Sequence, residues 1–211
     1  MARQQQLGAG VGRGVAACAR GRALDHGHAP GFTLLEMLAA LAIVAVLVLV
    51  AAPSWSSWQQ RRQLQAQSEA MLGSLALARA QALMQQQRVT LCPSRQGETC
   101  DAGGAVPAAS EGTWQVGWIV FVDGNRNGLR EADEPLLQQH AASPKGVRMV
   151  SRNTLSQAIA YGVHGGSEGV QGQFLAGTLQ LCAEGQQEGW QIVLNPLGRA
   201  RLAKVALASC P

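Results

Sequence analysis

The chain has 211 residues, of which 47% are hydrophobic and 14% are charged. This length allows one ordinary domain plus an appendage and argues against a large multidomain enzyme. The charged fraction lies well below the roughly 25% of typical soluble proteins, which disfavours full disorder and a heavily charged nucleic-acid tail. The net charge of +4 comes mainly from residues 1–31, which hold four arginines and one acid, so the remainder is nearly neutral.

The N-terminus has two parts, a basic segment at 1–31 and an apolar run at 32–52. The first has no apolar periodicity and is interpreted as a charged leader that stays in the cytoplasm. The second contains only Thr33 and Glu36 as polar residues, and a 21-residue helix spans roughly 30 Å, enough to cross a bilayer. One hypothesis is an ordinary signal peptide cut after Ala52, which would release a secreted soluble β-domain protein.

The lone carboxylate in the apolar run disfavours that hypothesis. A charged group inside a membrane segment costs about 2.5–3.5 kcal/mol, so Glu36 needs a partner. Cleavage after Gly31 would create a new α-amino group at Phe32, one helical turn away. The carboxylate of a neighbouring subunit would then neutralise that amino group in lipid.

The stretch GFTLLEMLAALAIVAVLVLVAAPSW resembles the prepilin signature of type IV pilins and type II secretion pseudopilins. The resemblance implies that a prepilin peptidase cuts between Gly31 and Phe32 and methylates Phe32. Glu36 matches the assembly glutamate of the family. The protein is then expected in the bacterial inner membrane as a single-pass subunit with its head in the periplasm, and other pilins or pseudopilins are its partners.

Downstream of the apolar run, periodicity predicts one long helix over 32–88 and a β-rich head over 89–211. Helical steps of three and four form a buried stripe. Its members are Leu64, Ser68, Met71, Leu75, Ala78 and Ala82.

Short apolar runs predict strands at 89–92, 116–122, 147–150, 159–161, 178–182, 192–194 and 199–205. The predicted fold class is α+β and pilin-like: a long N-terminal helix, first transmembrane and then amphipathic, packed on a mostly antiparallel sheet. Residues 101–113 and 162–173 are predicted loops, and the turn at 195–198 predicts a C-terminal hairpin.

Four cysteines remain after Cys18, which belongs to the leader. They allow three disulfide connectivities. We favour Cys92–Cys100, which closes a short loop, and Cys182–Cys210, which fixes the C-terminal tail to a strand. A zinc site is disfavoured because the chain has no paired short C-x-x-C spacing.

A second block, WQVGWIVFVDGNRNG at 114–128, resembles the GspH/FimT family of minor pilins and pseudopilins. The later Leu181-Cys182 pair and the terminal G-R-x-R sequence are similar to that family as well. Trp114, Trp118 and Phe121 are interpreted as packing residues of the sheet, since aromatic stripes on strands usually serve that purpose.

Residues 123–134 fit the calcium-loop spacing D-x-N-x-N-G-x5-E, with Asp123, Asn125, Asn127 and Glu134 as candidate ligands. Oxygens at alternate positions and a final bidentate carboxylate suit Ca²⁺. However, a strand precedes the segment instead of a helix, and two arginines add positive charge. The alternative is a loop whose Asp and Asn side chains bond their own backbone.

The last 23 residues carry Arg199, Arg201 and Lys204 and no acid. On a strand the two arginines share one face about 7 Å apart, close to the phosphate spacing of a DNA strand. In the FimT branch of the family, a C-terminal G-R-x-R motif is linked to DNA capture during natural transformation. The resemblance therefore favours non-specific binding of double-stranded DNA, and the alternative is a pair of solvated arginines.

No arrangement of the histidines, serines or acids suggests a catalytic triad, and no Walker-type glycine loop is present. We therefore expect no enzymatic activity, no small-molecule substrate and no cofactor other than calcium. Two branches remain open: a FimT-like minor pilin that binds DNA, and a GspH-like pseudopilin of the type II secretion system that does not.

Overall fold

The computed structural model describes the backbone of residues 31–101, 114–152, 155 and 157–210, and the side chains of all of these except 50–54 and 152. The leader up to residue 30 and nearly all of the predicted loop at 101–113 lie outside the described residues. The chain divides into two compact units, Met1–Ala45 and Val46–Pro211. The packing described below belongs to the second unit.

The single long helix predicted from the sequence is α1, Leu34–Gln85. It starts after Thr33, whose Oγ1 accepts a hydrogen bond of 3.2 Å from the backbone N–H of Glu36, a standard helix N-cap. It ends before Gln86, which adopts a left-handed φ of 54° that an α-helix does not accommodate. All six residues of the predicted stripe are buried, which confirms the amphipathic pattern.

Nine strands follow the helix in the part of the chain that the structure describes, and two of them were not predicted. The missed strands are β3 and β6; a 3-10 turn, Trp114–Val116, replaces the start of the second predicted strand. The strands are β1 Val89–Pro93, β2 Trp118–Val122, β3 Leu136–His140, β4 Val147–Arg152, β5 Ile159–Tyr161, β6 Ser167–Glu168, β7 Gly177–Ala183, β8 Glu188–Leu194 and β9 Ala200–Ala206.

The strands form two antiparallel sheets instead of the one sheet expected from the sequence. The five-stranded sheet has the order β3-β2-β1-β5-β6, and the four-stranded sheet has the order β4-β7-β8-β9. The predicted C-terminal hairpin is present as β8 and β9, with Leu194 paired to Ala200 across the turn. The α+β fold class is confirmed: a long N-terminal helix packs on antiparallel β structure.

One core joins the helix stripe to both sheets. Leu75 of α1, Leu91 of β1 and Ile192 of β8 belong to the same buried cluster. Trp118, fully buried on β2, donates a 2.9 Å hydrogen bond from its indole N–H to the hydroxyl of Ser74 on α1. Because burial removes the ring from water and the hydrogen bond satisfies its N–H, Trp118 fixes the helix against the five-stranded sheet. The interpretation of Trp114, Trp118 and Phe121 as packing residues agrees with their complete burial.

Candidate functional site

The start of α1 presents the processing and assembly residues predicted from the sequence. Phe32 is 79% exposed, and Glu36 is exposed at the third position of the helix. A carboxylate in the first turn interacts favourably with the helix dipole, typically by about 0.3–1 kcal/mol. Glu36 therefore has a modest local role, and its charge also remains accessible to a second molecule.

The apolar side chains around and after Glu36, from Phe32 to Leu49, are uncovered. The large ones are between 54% and 79% exposed, and they are Phe32, Leu34, Leu35, Met37, Leu38, Leu41, Ile43, Val44, Val46, Leu47, Val48 and Leu49. Soluble monomers rarely expose a contiguous apolar patch of this kind, so the segment marks a contact with lipid or protein.

Within the part of the chain that the structure describes, no helix is both long and apolar enough to cross a membrane. The transmembrane segment at 32–52 stays a prediction, since the side chains of residues 50–52 lie outside that part.

Two disulfides close the head, and they join the pairs favoured from the sequence. Cys92 is bonded to Cys100, and Cys182 is bonded to Cys210, each pair with its Cα atoms 5.5 Å apart. The second disulfide spans 28 positions and fixes the chain end to β7, in the middle of the four-stranded sheet.

Replacement of Cys182 and Cys210 by Ser is expected to lower the free energy of unfolding by about 3–4 kcal/mol, because a long loop regains its freedom in the unfolded chain. The Cys92→Ser/Cys100→Ser variant, which opens a loop of eight positions, should lose about 1 kcal/mol less. Urea unfolding of both variants in detergent measures the difference. Equal stability of the wild type and the Cys182→Ser/Cys210→Ser variant would contradict this expectation.

The predicted calcium loop is held by its own backbone and by an arginine. Asn125 Oδ1 accepts a hydrogen bond from the N–H of Asn127, and Asn127 Oδ1 accepts one from the N–H of Leu129. The carboxylate of Glu134 accepts from the N–H groups of Gly124 and Glu131. These bonds correspond to the alternative considered above, a loop stabilised by its own Asp and Asn side chains.

Asp123 is the centre of a buried charge network. Its Oδ2 lies 3.3 Å from Nε of Arg88 and accepts hydrogen bonds from the hydroxyl of Thr90 and the N–H of Gly128. The Arg88 side chain also donates a 2.8 Å hydrogen bond to the carbonyl of Gly169. The guanidinium is therefore paired with the carboxylate that would be the first calcium ligand, and the described residues contain no cluster of three His, Cys, Asp or Glu suited to a metal. The calcium hypothesis stays a prediction, and the pairing of Asp123 with Arg88 weighs against it.

The C-terminal hairpin presents two of the three predicted cationic residues together. Arg199 and Arg201 are exposed, at the turn and on β9 respectively. Gly198 precedes them with φ 75°, and a side chain there would collide with the carbonyl of Gly165, so the turn needs glycine. The hydrogen bond from the N–H of Arg199 to Asn195 Oδ1 fixes the turn further. Neither arginine forms an ion pair with an acid among the described residues.

Lys204, in contrast, lies away from the two arginines. On β9, Arg201 is opposite Val193 and Lys204 is opposite Trp190, so the two cations lie on opposite faces of the strand. Lys204 Nζ is 2.7 Å from Glu188 Oε2, and this ammonium lowers the pKa of the Glu188 carboxyl from its ordinary value. Lys204 therefore does not share a face with Arg201, and DNA binding by any of the three cationic residues stays a prediction.

Two features were not anticipated from the sequence. The first is Arg88, whose acidic partner is distant along the chain. The second is a group of exposed aromatic and basic residues just after the apolar run, Trp55, Trp58, Arg61 and Arg62. Their spacing of about three positions, on a helix, was a signal that could have revealed the second feature.

A long N-terminal helix with an uncovered apolar start, packed further along on a disulfide-closed β head, defines a pilin-like protein. Residues 67–198 match the family model of the type II transport protein GspH, and residues 28–52 match that of the prokaryotic N-terminal methylation motif. Because the first match covers more than half of the chain, the protein belongs to the GspH family. Membership and motif place it among the minor pilins and pseudopilins, and they imply assembly with other pilins and processing by a prepilin peptidase.

Two solved structures are similar to this chain, and the first of them shows the same fold. The type IV minor pilin FimU of Pseudomonas aeruginosa matches with a TM-score of 0.52 and 18% identity, over 73% of this chain and 99% of that chain. The minor pseudopilin EpsH from the type II secretion system of Vibrio cholerae matches with a TM-score of 0.44 and 12% identity, over 67% of this chain and 96% of that chain. No curated protein sequence matches the chain.

Proposed function

We propose that this protein is an inner-membrane prepilin that is cut between Gly31 and Phe32 and assembled into a periplasmic filament through its N-terminal helix. The observation that carries the proposal is the uncovered apolar surface of α1, interrupted by the single carboxylate of Glu36. Before assembly the bilayer covers this surface, and afterwards the helices of neighbouring subunits cover it. Glu36 then pairs with the α-amino group of a neighbouring Phe32, since an unpaired charge is costly among apolar helices.

The cleavage step separates this proposal from the secreted soluble alternative. N-terminal sequencing of the mature protein is expected to begin at Phe32, with a methylated amino group. A mature chain that begins at Pro53 would have lost the apolar helix and would contradict filament assembly.

Within this class we propose that the head binds double-stranded DNA without sequence preference, as a minor pilin for DNA uptake. The support is the pair Arg199 and Arg201, exposed at one end of the head and without acidic partners among the described residues. Planar guanidinium groups bind phosphate oxygens well, and they contact the backbone rather than the bases. Two contacts give weak affinity, which repeated copies in a filament would raise.

The Arg199→Ala/Arg201→Ala variant is expected to bind DNA about tenfold or more weakly than the wild type, because each lost phosphate contact removes counterion release. Mobility shifts of the full chain in nonionic detergent, at salt from about 50 to about 200 mM, measure affinity and its salt slope. Lys204→Ala is a matched control from the same strand. It should keep wild-type affinity, since its ammonium lies on the other face beside Glu188.

The second candidate is a type II secretion pseudopilin that does not bind DNA, and the GspH family match favours it. The two candidates differ in the same assay. A wild-type chain that leaves DNA unshifted at low salt, or a double variant that binds as tightly as the wild type, would favour the pseudopilin. Loss of protein secretion on deletion would then identify the machine.

A further inference from the structure

The first turns of α1 beyond the apolar run carry an exposed group that the filament proposal does not use. Trp55 and Trp58 are 65% and 50% exposed, and their ring centroids lie 5.4 Å apart. The guanidinium carbon of Arg62 lies 5.3 Å from the centroid of the Trp58 ring. We name Trp55, Trp58, Arg61 and Arg62 the tryptophan–arginine patch. Two large rings left in contact with water on a helix are a costly arrangement unless something covers them.

The surroundings of the patch are cationic. Trp58, Arg61 and Arg62 border a shallow cavity of about 210 Å³, which Trp190 and Lys204 line from the four-stranded sheet. The acid that lines it, Glu188, is already bonded to Lys204. Arg61 donates from Nε to Gln186 Oε1, and neither Arg61 nor Arg62 forms an ion pair with an acid among the described residues. The cavity therefore has surplus positive charge beside aromatic rings.

We infer that the tryptophan–arginine patch docks on the headgroup layer of an anionic phospholipid bilayer, with the rings at the acyl boundary and the guanidinium groups on phosphates. The inference rests on the proposed membrane anchorage of the helix. Tryptophan is enriched at membrane interfaces because its ring is apolar and its N–H is polar. Arginine binds phosphate through two parallel N–H donors. Anionic lipid attracts each nearby basic residue further.

Distances along the helix fit this occupant. Trp55 and Trp58 follow Ala52, the end of the apolar run, by three and six residues, which is about 4.5 and 9 Å at 1.5 Å per residue. The polar layer on each side of a bilayer is about 5–7.5 Å thick, so the backbone of Trp55 falls within it and that of Trp58 just beyond it. Helical side chains tilt toward the N-terminus, which here is the direction of the bilayer, so the longer reach of Arg61 and Arg62 extends back to the phosphates.

The experiment uses the full chain reconstituted in vesicles of phosphatidylcholine and phosphatidylglycerol. Flotation first tests anchorage. Tryptophan fluorescence is then quenched by lipids brominated either near the glycerol end or near the methyl end of the acyl chain. Trp114 and Trp118 are fully buried, and the half-buried Trp190 is present in both proteins, so the difference in quenching between the wild type and the Trp55→Phe/Trp58→Phe variant isolates the patch. This difference in quenching should be severalfold larger with bromine near the glycerol end of the acyl chain than with bromine near its methyl end.

The lipid class is tested by making the brominated lipid either phosphatidylglycerol or phosphatidylcholine. The wild type should be quenched severalfold more by brominated phosphatidylglycerol, and the Arg61→Gln/Arg62→Gln variant should lose that preference while it keeps both rings. Arg199→Gln/Arg201→Gln is the matched control and should keep the preference, because these arginines belong to the C-terminal hairpin.

The outcomes separate the inference from the proposed function. A chain that fails to float overturns the anchorage and the inference together. A chain that floats but is quenched equally by shallow and deep bromine, or equally by both lipid classes, overturns the inference and leaves the anchorage intact. Quenching that is absent in vesicles, combined with crosslinks from position 58 to a neighbouring subunit in filaments, would assign the patch to a protein contact and overturn the inference as well.

Discussion

Replacement of Asp123 by Ala is expected to lower the free energy of unfolding by about 3–5 kcal/mol. The variant leaves the Arg88 guanidinium, 4% exposed, without its counter-charge, and it removes the acceptor of the Thr90 hydroxyl and the Gly128 N–H. A buried unpaired charge costs far more than the net contribution of the pair, because removal of one partner does not return the other to water. Urea unfolding of the full chain in detergent measures the loss.

Two further variants test the cause. Asp133→Ala changes an exposed carboxylate of the same loop and should stay within about 0.5 kcal/mol of the wild type. The Arg88→Met/Asp123→Leu variant removes both charges and should be more stable than Asp123→Leu alone. An Asp123→Ala protein as stable as the Asp133→Ala protein would show that the ion pair does not hold the loop.

Replacement of Glu36 by Leu is expected to lower incorporation into filaments about a hundredfold, while the head stays folded. An uncompensated charge among apolar helices costs about 2.5–3.5 kcal/mol, and the new amino group at Phe32 would lose its partner. Quantification of the subunit in sheared filaments against the membrane pool measures the effect.

The capping bond provides the matched control. Thr33→Ala removes the acceptor for the N–H of Glu36 and should cost about 1 kcal/mol of helix stability, but it keeps the carboxylate. This variant should still assemble. If the Glu36→Leu variant enters filaments normally, or if the Thr33→Ala variant is kept out of filaments as strongly, the charge of Glu36 does not determine incorporation of the subunit.

Local periodicity was sufficient to predict the helix and its buried face. Leu64, Met71 and Leu75 follow the 3.6-residue repeat, and tertiary contacts act on the same stripe. The strands β1 and β2 were visible because they are buried on both faces and therefore read as continuous apolar runs. Strand β3 was missed because none of its residues is buried and they include Gln138 and Gln139, which give no apolar alternation.

The sequence alone did not predict which distant strands pair with one another. The division into two sheets depends on which strand lies beside which, and short segments do not encode that choice. The same limit applied to the sites. The face of β9 on which Lys204 lies depends on the strand register that places it opposite Trp190. The partner of Asp123 is Arg88, 35 positions away, and no local pattern predicts that pairing. The motif Gly198-Arg199-Ala200-Arg201 was recognisable because it is local.

Strand β9 lies at the end of the four-stranded sheet, so one side of it has no neighbour among the described strands. An open strand edge is a template for unwanted pairing between molecules, and charged side chains on such an edge oppose it. Arg201 is exposed on this strand and has no acidic partner among the described residues, so a second strand pairing with the edge meets an uncompensated charge. Such a charge is expected to disfavour edge-to-edge association of two heads, independently of any ligand that it binds.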